Sequence, residues 1–146
     1  MPMSNASAAA FLGHLFENLA WATVGDTSGL QPSGGAGSFY IALHSADPLI
    51  SGNQNSSEMS YTGYARIGVP RSSGGWTLTG TTISNAVLQQ FGACTAGSAT
   101  AAFWSLGTVV SGTGQIIVYS NLVSSLAIST GIQPQFAIGA LTATAS

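Results

Sequence analysis

The sequence predicts a mainly β fold with one short helix at its N-terminus. Two patterns carry that reading. After residue 38 the chain breaks into short runs of strand-forming residues, separated by Gly, Pro, Ser and Asn at a spacing of roughly 8–12 residues. Apolar residues recur at helical spacing only before residue 24. Hydrophobic residues make up 45% of the 146, enough for a core in a single domain spanning 1–146. Short, turn-punctuated strands of this kind are expected in an antiparallel β-sandwich, jelly-roll or immunoglobulin-like.

The helix is expected near residues 7–23, inside an N-terminal segment 1–24. Ser4 or Ser7 can cap its start, and Phe11, Leu12, Leu15, Phe16 and Leu19 form one apolar stripe. Val24-Gly25-Asp26 supplies a stop, with Gly25 suited to the left-handed cap. Residues 25–37, with five Gly and one Pro, form a connector, and residues 38–146 the sandwich. In Ser38–His44 the period changes to two: Phe39, Ile41 and Leu43 point one way, and Tyr40, Ala42 and His44 the other. Asp47-Pro48 stops the strand. The polar stretch Ser51–Ser60, anchored only by Met59, is long for a plain connection and is expected to be mobile or shaped by a partner.

Further strand-like runs follow at Tyr64–Val69, Trp76–Leu78, Thr81–Asn85, Ala86–Phe91, Ala101–Leu106, Gln115–Leu122, Leu126–Ile128 and Gln135–Leu141, with Gly80 a hairpin bend. Phe39, Ile41, Leu43, Phe103, Ile117 and Phe136 are the expected inward residues.

Charge is scarce. The chain carries 2 basic and 4 acidic side chains, 4% of its residues, against about 25% in an ordinary soluble domain. Both basic residues are Arg, so there is no basic patch, and nucleic-acid binding is not expected. No apolar run approaches the ~20 residues of a bilayer span, and the N-terminus does not read as a secretory signal. A surface with so few charges points to a chain packed against partners, since interface centres are depleted in charge.

Little in the sequence points to catalysis. His44-Ser45-Ala46-Asp47 places an imidazole, a hydroxyl and a carboxylate close together, but Asp-Pro is a turn initiator and the structural reading is preferred. Cys94 lacks a basic neighbour and reads as a small core residue or an inert loop thiol. No ligand spacing suggests a metal. The glycine-rich stretches 34–37 and 112–115 lack the lysine and strand–helix context of a phosphate cradle. No catalytic, cofactor or metal residues are therefore expected. Trp21 and Trp76 are the better surface aromatics, Trp104 reads as core, and Trp21, Trp76 and Arg71 are candidate inter-subunit contacts.

The order of pieces resembles a family of small tailed-bacteriophage virion proteins. Its strand motif has the form Y-V-A-L-H-T-A-D-P, followed by a loop and then G-Y-A-R. Here Phe39–Pro48 and Gly63-Tyr64-Ala65-Arg66 stand at those places, with Gly114–Leu122 and Gly131–Leu141 agreeing further on. Members are labelled tail-fibre or minor structural proteins, and similar small β-proteins decorate capsids. The resemblance implies a non-enzymatic virion structural protein that partners copies of itself and other virion proteins. The first expectation is a capsid-decorating cement protein. The alternative is a tail-fibre, neck or tail-tip subunit that contacts host glycans through exposed aromatics and the Ser51–Ser60 loop. Arg66 stands at the R of the G-Y-A-R motif and is expected in a structural salt bridge to a carboxylate.

Overall fold

Ser4 starts the helix as foreseen: its backbone is extended and its Oγ accepts from the Ser7 amide at 3.2 Å. In the computed structural model, which describes residues 2–25 and 28–146, helix α1 covers Asn5–Glu17. It ends at Asn18 in the left-handed conformation (φ 56°), well before the Gly25 stop. Asn fits there because it tolerates that region and has a polar side chain to use. Its amide nitrogen donates to the Ser33 carbonyl and its oxygen accepts from the Ser33 amide, which ties the helix end to the connector. Asp26, part of the expected stop, and Thr27 in the connector lie outside the described residues.

The apolar stripe is rotated from the one expected. Ala8, Leu12, Gly13 and Phe16 are buried, whereas Phe11 is 39% exposed and Leu19 lies beyond the helix. The small residues decide this. A Cβ on Gly13 would sit 3.7 Å from Leu78, so the bare glycine face brings the backbone close to the sheet beneath.

The chain groups into two compact units interleaved in sequence. Unit 1 comprises Met1–Ser38, Pro70–Leu88 and Phe136–Ser146, and unit 2 comprises Phe39–Val69 and Gln89–Gln135. The fold is mainly β with antiparallel ladders and one short helix, as the sequence predicts.

In unit 1, strands β3 (Trp76–Thr79), β4 (Thr82–Asn85) and β9 (Thr142–Thr144) form a sheet in the order β3-β4-β9, with Gly80 at the bend (φ 60°). Strand β9 escapes sequence reading because Thr-Ala-Thr carries no hydrophobic signal; it joins through the register Thr82↔Thr144 and Ser84↔Thr142. Phe16 of α1 packs edge-on to Trp76 at 4.9 Å. Trp76, expected at the surface, is therefore only 3% exposed. As the first residue of β3 it turns its ring under the helix rather than out with the preceding turn.

In unit 2, β1 (Ser38–His44), β2 (Ile67–Pro70), β6 (Ala99–Gly107) and β7 (Ile116–Ile128) form a sheet in the order β2-β1-β6-β7. A small ladder pairs β5 (Gln89–Gln90) with β8 (Gln135–Phe136). Phe39, Ile41 and Leu43 are buried as the alternation predicts, but so are Ala42 and His44. An interior strand is covered on both faces, which erases the polar side of the pattern. Phe103, Ile117 and Phe136, expected inward, are only half-buried.

The two runs expected at Gln115–Leu122 and Leu126–Ile128 are one strand interrupted by a bulge. Ala101 faces Leu126 while Phe103 faces Asn121, so Leu122–Ser125 have only Ala102 between them on the partner.

Candidate functional site

The Ser51–Ser60 stretch is not a free loop. Gln54 is fully buried and is the anchor that hydropathy does not reveal. Its Nε2 donates to the Tyr40 carbonyl and its Oε1 accepts from the Val109 amide. A Cβ on Gly107 would lie 2.1 Å from the Gln54 side chain, and one on Gly114 2.0 Å from it, so two distant glycines make room for one amide. Beyond Gln54 the stretch runs beside the end of β1: Ser45 N–H donates to Ser57, Met59 N–H donates to Leu43, and Glu58 bridges His44.

This placement delivers Glu58 to Arg66. The pair is bidentate, with Arg66 Nε to Glu58 Oε1 and Nη2 to Oε2 both at 2.7 Å. The remaining guanidinium donors reach the Val109 carbonyl, Asn55 Oδ1 and the Gly112 carbonyl. The Tyr64 hydroxyl donates to Glu58 Oε1 at 2.9 Å and accepts from the Leu43 amide at 3.1 Å. Burial pushes the Tyr64 phenol far up from its ordinary value, with the Glu58 carboxylate adding to the effect. The tyrosine is thus fixed as a neutral donor. Its ring stacks on Phe91 at 5.8 Å and meets Tyr61 edge-on at 5.5 Å. The expected salt bridge of Arg66 is therefore present, and its partner is Glu58.

His44 completes the cluster. A carbonyl only accepts, so the 2.7 Å contact with the Ser56 carbonyl puts the proton on Nδ1. Nε2 then accepts from the Ser105 hydroxyl, also at 2.7 Å. A Ser–His pair of this length has the shape of a nucleophile and its base. Here both residues are 0% exposed, so neither meets solvent. Ser45 and Asp47, its neighbours in sequence, turn away: Ser45 Oγ donates to Ser57, and Asp47 Oδ1 accepts from the Leu49 amide. Asp47 thus makes the local turn contact expected of it, whereas Ser45 bonds a carbonyl twelve residues away instead of a nearby amide.

Burial lowers the His44 pKa below 6.5, which outweighs the opposing pull of the Ser56 carbonyl and Glu58. The unfolded chain then takes up a proton at a higher pH than the folded one. Stability contributed by neutral His44 is complete above pH 6.5 and declines as pH falls from 6.5 toward the folded value. The expected result is an NMR titration of the His44 ring with its midpoint below 6.5. A denaturation midpoint should also fall with acidification, by less in a His44→Gln variant. A ring titrating at or above 6.5 would overturn this account.

Beside the cluster a cavity of about 420 Å³ is lined by Glu58, Met59, Tyr61, Tyr64, Arg66 and Val110 among others. The Tyr61 hydroxyl within it donates to the Gly92 carbonyl. Cys94 is buried, its backbone held by Ile132 and Gly131. Among the described residues no three His, Cys, Asp or Glu side chains gather as a metal site would need, and no helix is long and apolar enough to cross a membrane.

Each of the three candidate inter-subunit residues makes contacts with α1 of its own chain. Arg71 binds inside unit 1: its Nε donates to the Leu15 carbonyl, Nη2 to His14 and Nη1 to Ala36. It caps the carbonyl end of α1, where a cation also complements the helix dipole. Trp76 is buried under Phe16, and its Nε1 has no hydrogen-bond partner among the described residues. Trp21 is half-buried; it pairs with Leu30 through two 2.9 Å backbone bonds and meets Phe11 edge-on.

The chain matches the family described as Podophage GP4 fiber I protein gp80 over residues 2–144 and belongs to it. It is accordingly a phage fibre-type virion protein, a component of the particle. A search of curated proteins finds no match. His44, in the Phe39–Pro48 segment, and Tyr64 and Arg66, in Gly63-Tyr64-Ala65-Arg66, meet around Glu58.

Proposed function

We propose that this chain is a non-enzymatic subunit of the tail fibre apparatus, present in several copies and held by its own kind and by other virion proteins. The family match carries the reading, because it spans nearly the whole chain rather than one detachable module. It favours the fibre over the capsid-decoration role that composition and resemblance first suggested. The internal chemistry agrees. Arg66 and Glu58 neutralise each other, Arg71 caps a helix, and the Ser105–His44 pair is sealed from solvent. The glycan-contact version of the fibre reading loses one of its two aromatic supports, since Trp76 is buried. Imaging of virions carrying an epitope tag on this chain tests the assignment. Label confined to the tail is the expected result, and label over the capsid lattice would return the protein to the head.

A further inference from the structure

Just past β1, at the head of a polar loop, Leu49 is 61% and Ile50 96% exposed, so neither adds to the core. Single surface aliphatics are ordinary, but this pair is held out by a strained backbone. Leu49 sits at φ 63°, the left-handed region that a residue with a Cβ enters only at a cost. The loop around it imposes that conformation. The Leu49 amide donates to Asp47 Oδ1 at 2.8 Å, and its carbonyl accepts from the Gly52 amide at 3.0 Å. Pro48 is buried, and a Cβ on Gly52 would lie 1.7 Å from the Pro48 carbonyl oxygen, so the turn closes only with glycine there. Both flanks are pinned: the Ser45 amide donates to the Ser57 carbonyl, and Gln54 bonds Tyr40 and Val109. Glycine at 49 and a polar residue at 50 would suit this turn at lower cost. Strain that persists because its surroundings over-determine it clusters where a protein grips a partner. Here it keeps a two-residue aliphatic tip rigid, so that little freedom is lost on binding.

Charge selects the partner. The charged side chains of unit 2 are Asp47, Glu58 and Arg66. Glu58 and Arg66 neutralise each other. That leaves Asp47, exposed and two residues before the tip, as the uncompensated charge. An apolar pocket that takes the tip therefore gains from a cation at its rim. A second copy has no cationic side chain to give. Arg66 commits its donors to Glu58, Asn55, Val109 and Gly112, Arg71 commits its own to Leu15, His14 and Ala36, and the chain has no Lys. We infer that Leu49 and Ile50 insert into an apolar pocket, rimmed by Lys or Arg, on a different protein of the particle, an assignment that rests on the fibre-subunit reading above.

The test assembles particles in cells expressing the wild-type chain and one full-length variant at equal levels, and counts the incorporated ratio by mass spectrometry. Ile50→Ser should be under-represented about tenfold or more, the worth of burying one aliphatic side chain. Asp47→Asn keeps the oxygen that accepts from the Leu49 amide and removes only the charge. It should be under-represented about twofold to fivefold, as an exposed ion pair implies. Leu49→Gly relieves the backbone, so its unfolding midpoint should be at or above that of wild type while its incorporation falls. A diazirine amino acid at position 50, irradiated in the intact particle, should join this chain to a protein of different identity. Equal incorporation of Ile50→Ser or Asp47→Asn overturns the tip while leaving the fibre-subunit reading intact. So does a crosslink to a second copy of this chain, or none at all. A Leu49→Gly chain less stable than wild type makes Leu49 a structural residue and overturns the tip as well. A chain absent from purified particles overturns the fibre-subunit reading itself.

Discussion

Replacing Arg66 by Met is expected to destabilise the protein by about 3–5 kcal/mol, the usual cost of breaking a buried ion pair from one side. That is a large part of the roughly 5–15 kcal/mol that holds a domain folded. The size follows from what the guanidinium leaves behind. Glu58 keeps its negative charge with only the Tyr64 hydroxyl donating to it, and Asn55 Oδ1 and the Val109 and Gly112 carbonyls lose their donor. The Arg66 side chain is 2% exposed and that of Glu58 16%, so water makes up little of the loss. The double variant Arg66→Met/Glu58→Gln should recover part of it, since a neutral amide is cheaper to bury unpaired than a carboxylate. Chemical denaturation of the three chains measures both numbers. A loss under about 1 kcal/mol in Arg66→Met would show the pair to be worth no more than a surface one.

That arginine was legible through its place at the R of the G-Y-A-R resemblance, joined to the scarcity of charge, with two arginines and four carboxylates in the whole chain. Scarcity alone misplaced Arg71, which read as an inter-subunit contact and instead caps α1. The partner of Arg66 was not legible. Glu58 sits in a stretch without apolar anchors, and the polar residue that fixes the stretch, Gln54, is recognisable only through Gly107 and Gly114, whose missing side chains make its room. Single-sequence reading weighs hydrophobicity locally, so a buried amide held by distant glycines leaves no local trace. Ser105 is hidden for the same reason: nothing near it in sequence hints at His44.

The fold shows the same division. Gly80, the alternation of Phe39, Ile41 and Leu43, and the Ser4 cap are local signals, and each did what its chemistry requires. The failures are tertiary. The helix stripe turned toward Ala8 and Gly13 because close approach to the sheet favours small residues over the larger Phe11. Strand β7 runs through Ser124-Ser125, which read as a break, because a bulge lets four residues face one without leaving the ladder. Trp76 follows a glycine turn and looked exposed; only the aromatic face of Phe16 above it explains its burial.

Substituting Asn85 by Ala is expected to cost about 2–4 kcal/mol through buried groups left without partners. Asn85 ends β4 and is fully buried, and both ends of its amide are engaged. Oδ1 accepts from the Leu141 amide at 2.9 Å, and Nδ2 donates to the Val87 carbonyl at 2.8 Å and the Ala137 carbonyl at 2.9 Å. Its backbone also serves the same segment, donating to Leu141 and accepting from Gly139. One side chain thus fixes Ala137–Leu141 onto the end of β4, immediately before β9 adds the third strand of the sheet. Losing it should loosen β9 before the rest of unit 1, because that strand is three residues long and has few contacts of its own to hold its register. Hydrogen exchange reads the order: amides of Leu141–Thr144 should lose protection by a larger factor than those of β3. Asn85→Asp keeps the acceptor for the Leu141 amide but puts a carboxylate against two carbonyl oxygens, and should cost at least as much as alanine near neutral pH. Uniform loss of protection across β3, β4 and β9 would mean that Asn85 supports the whole sheet rather than the closing strand.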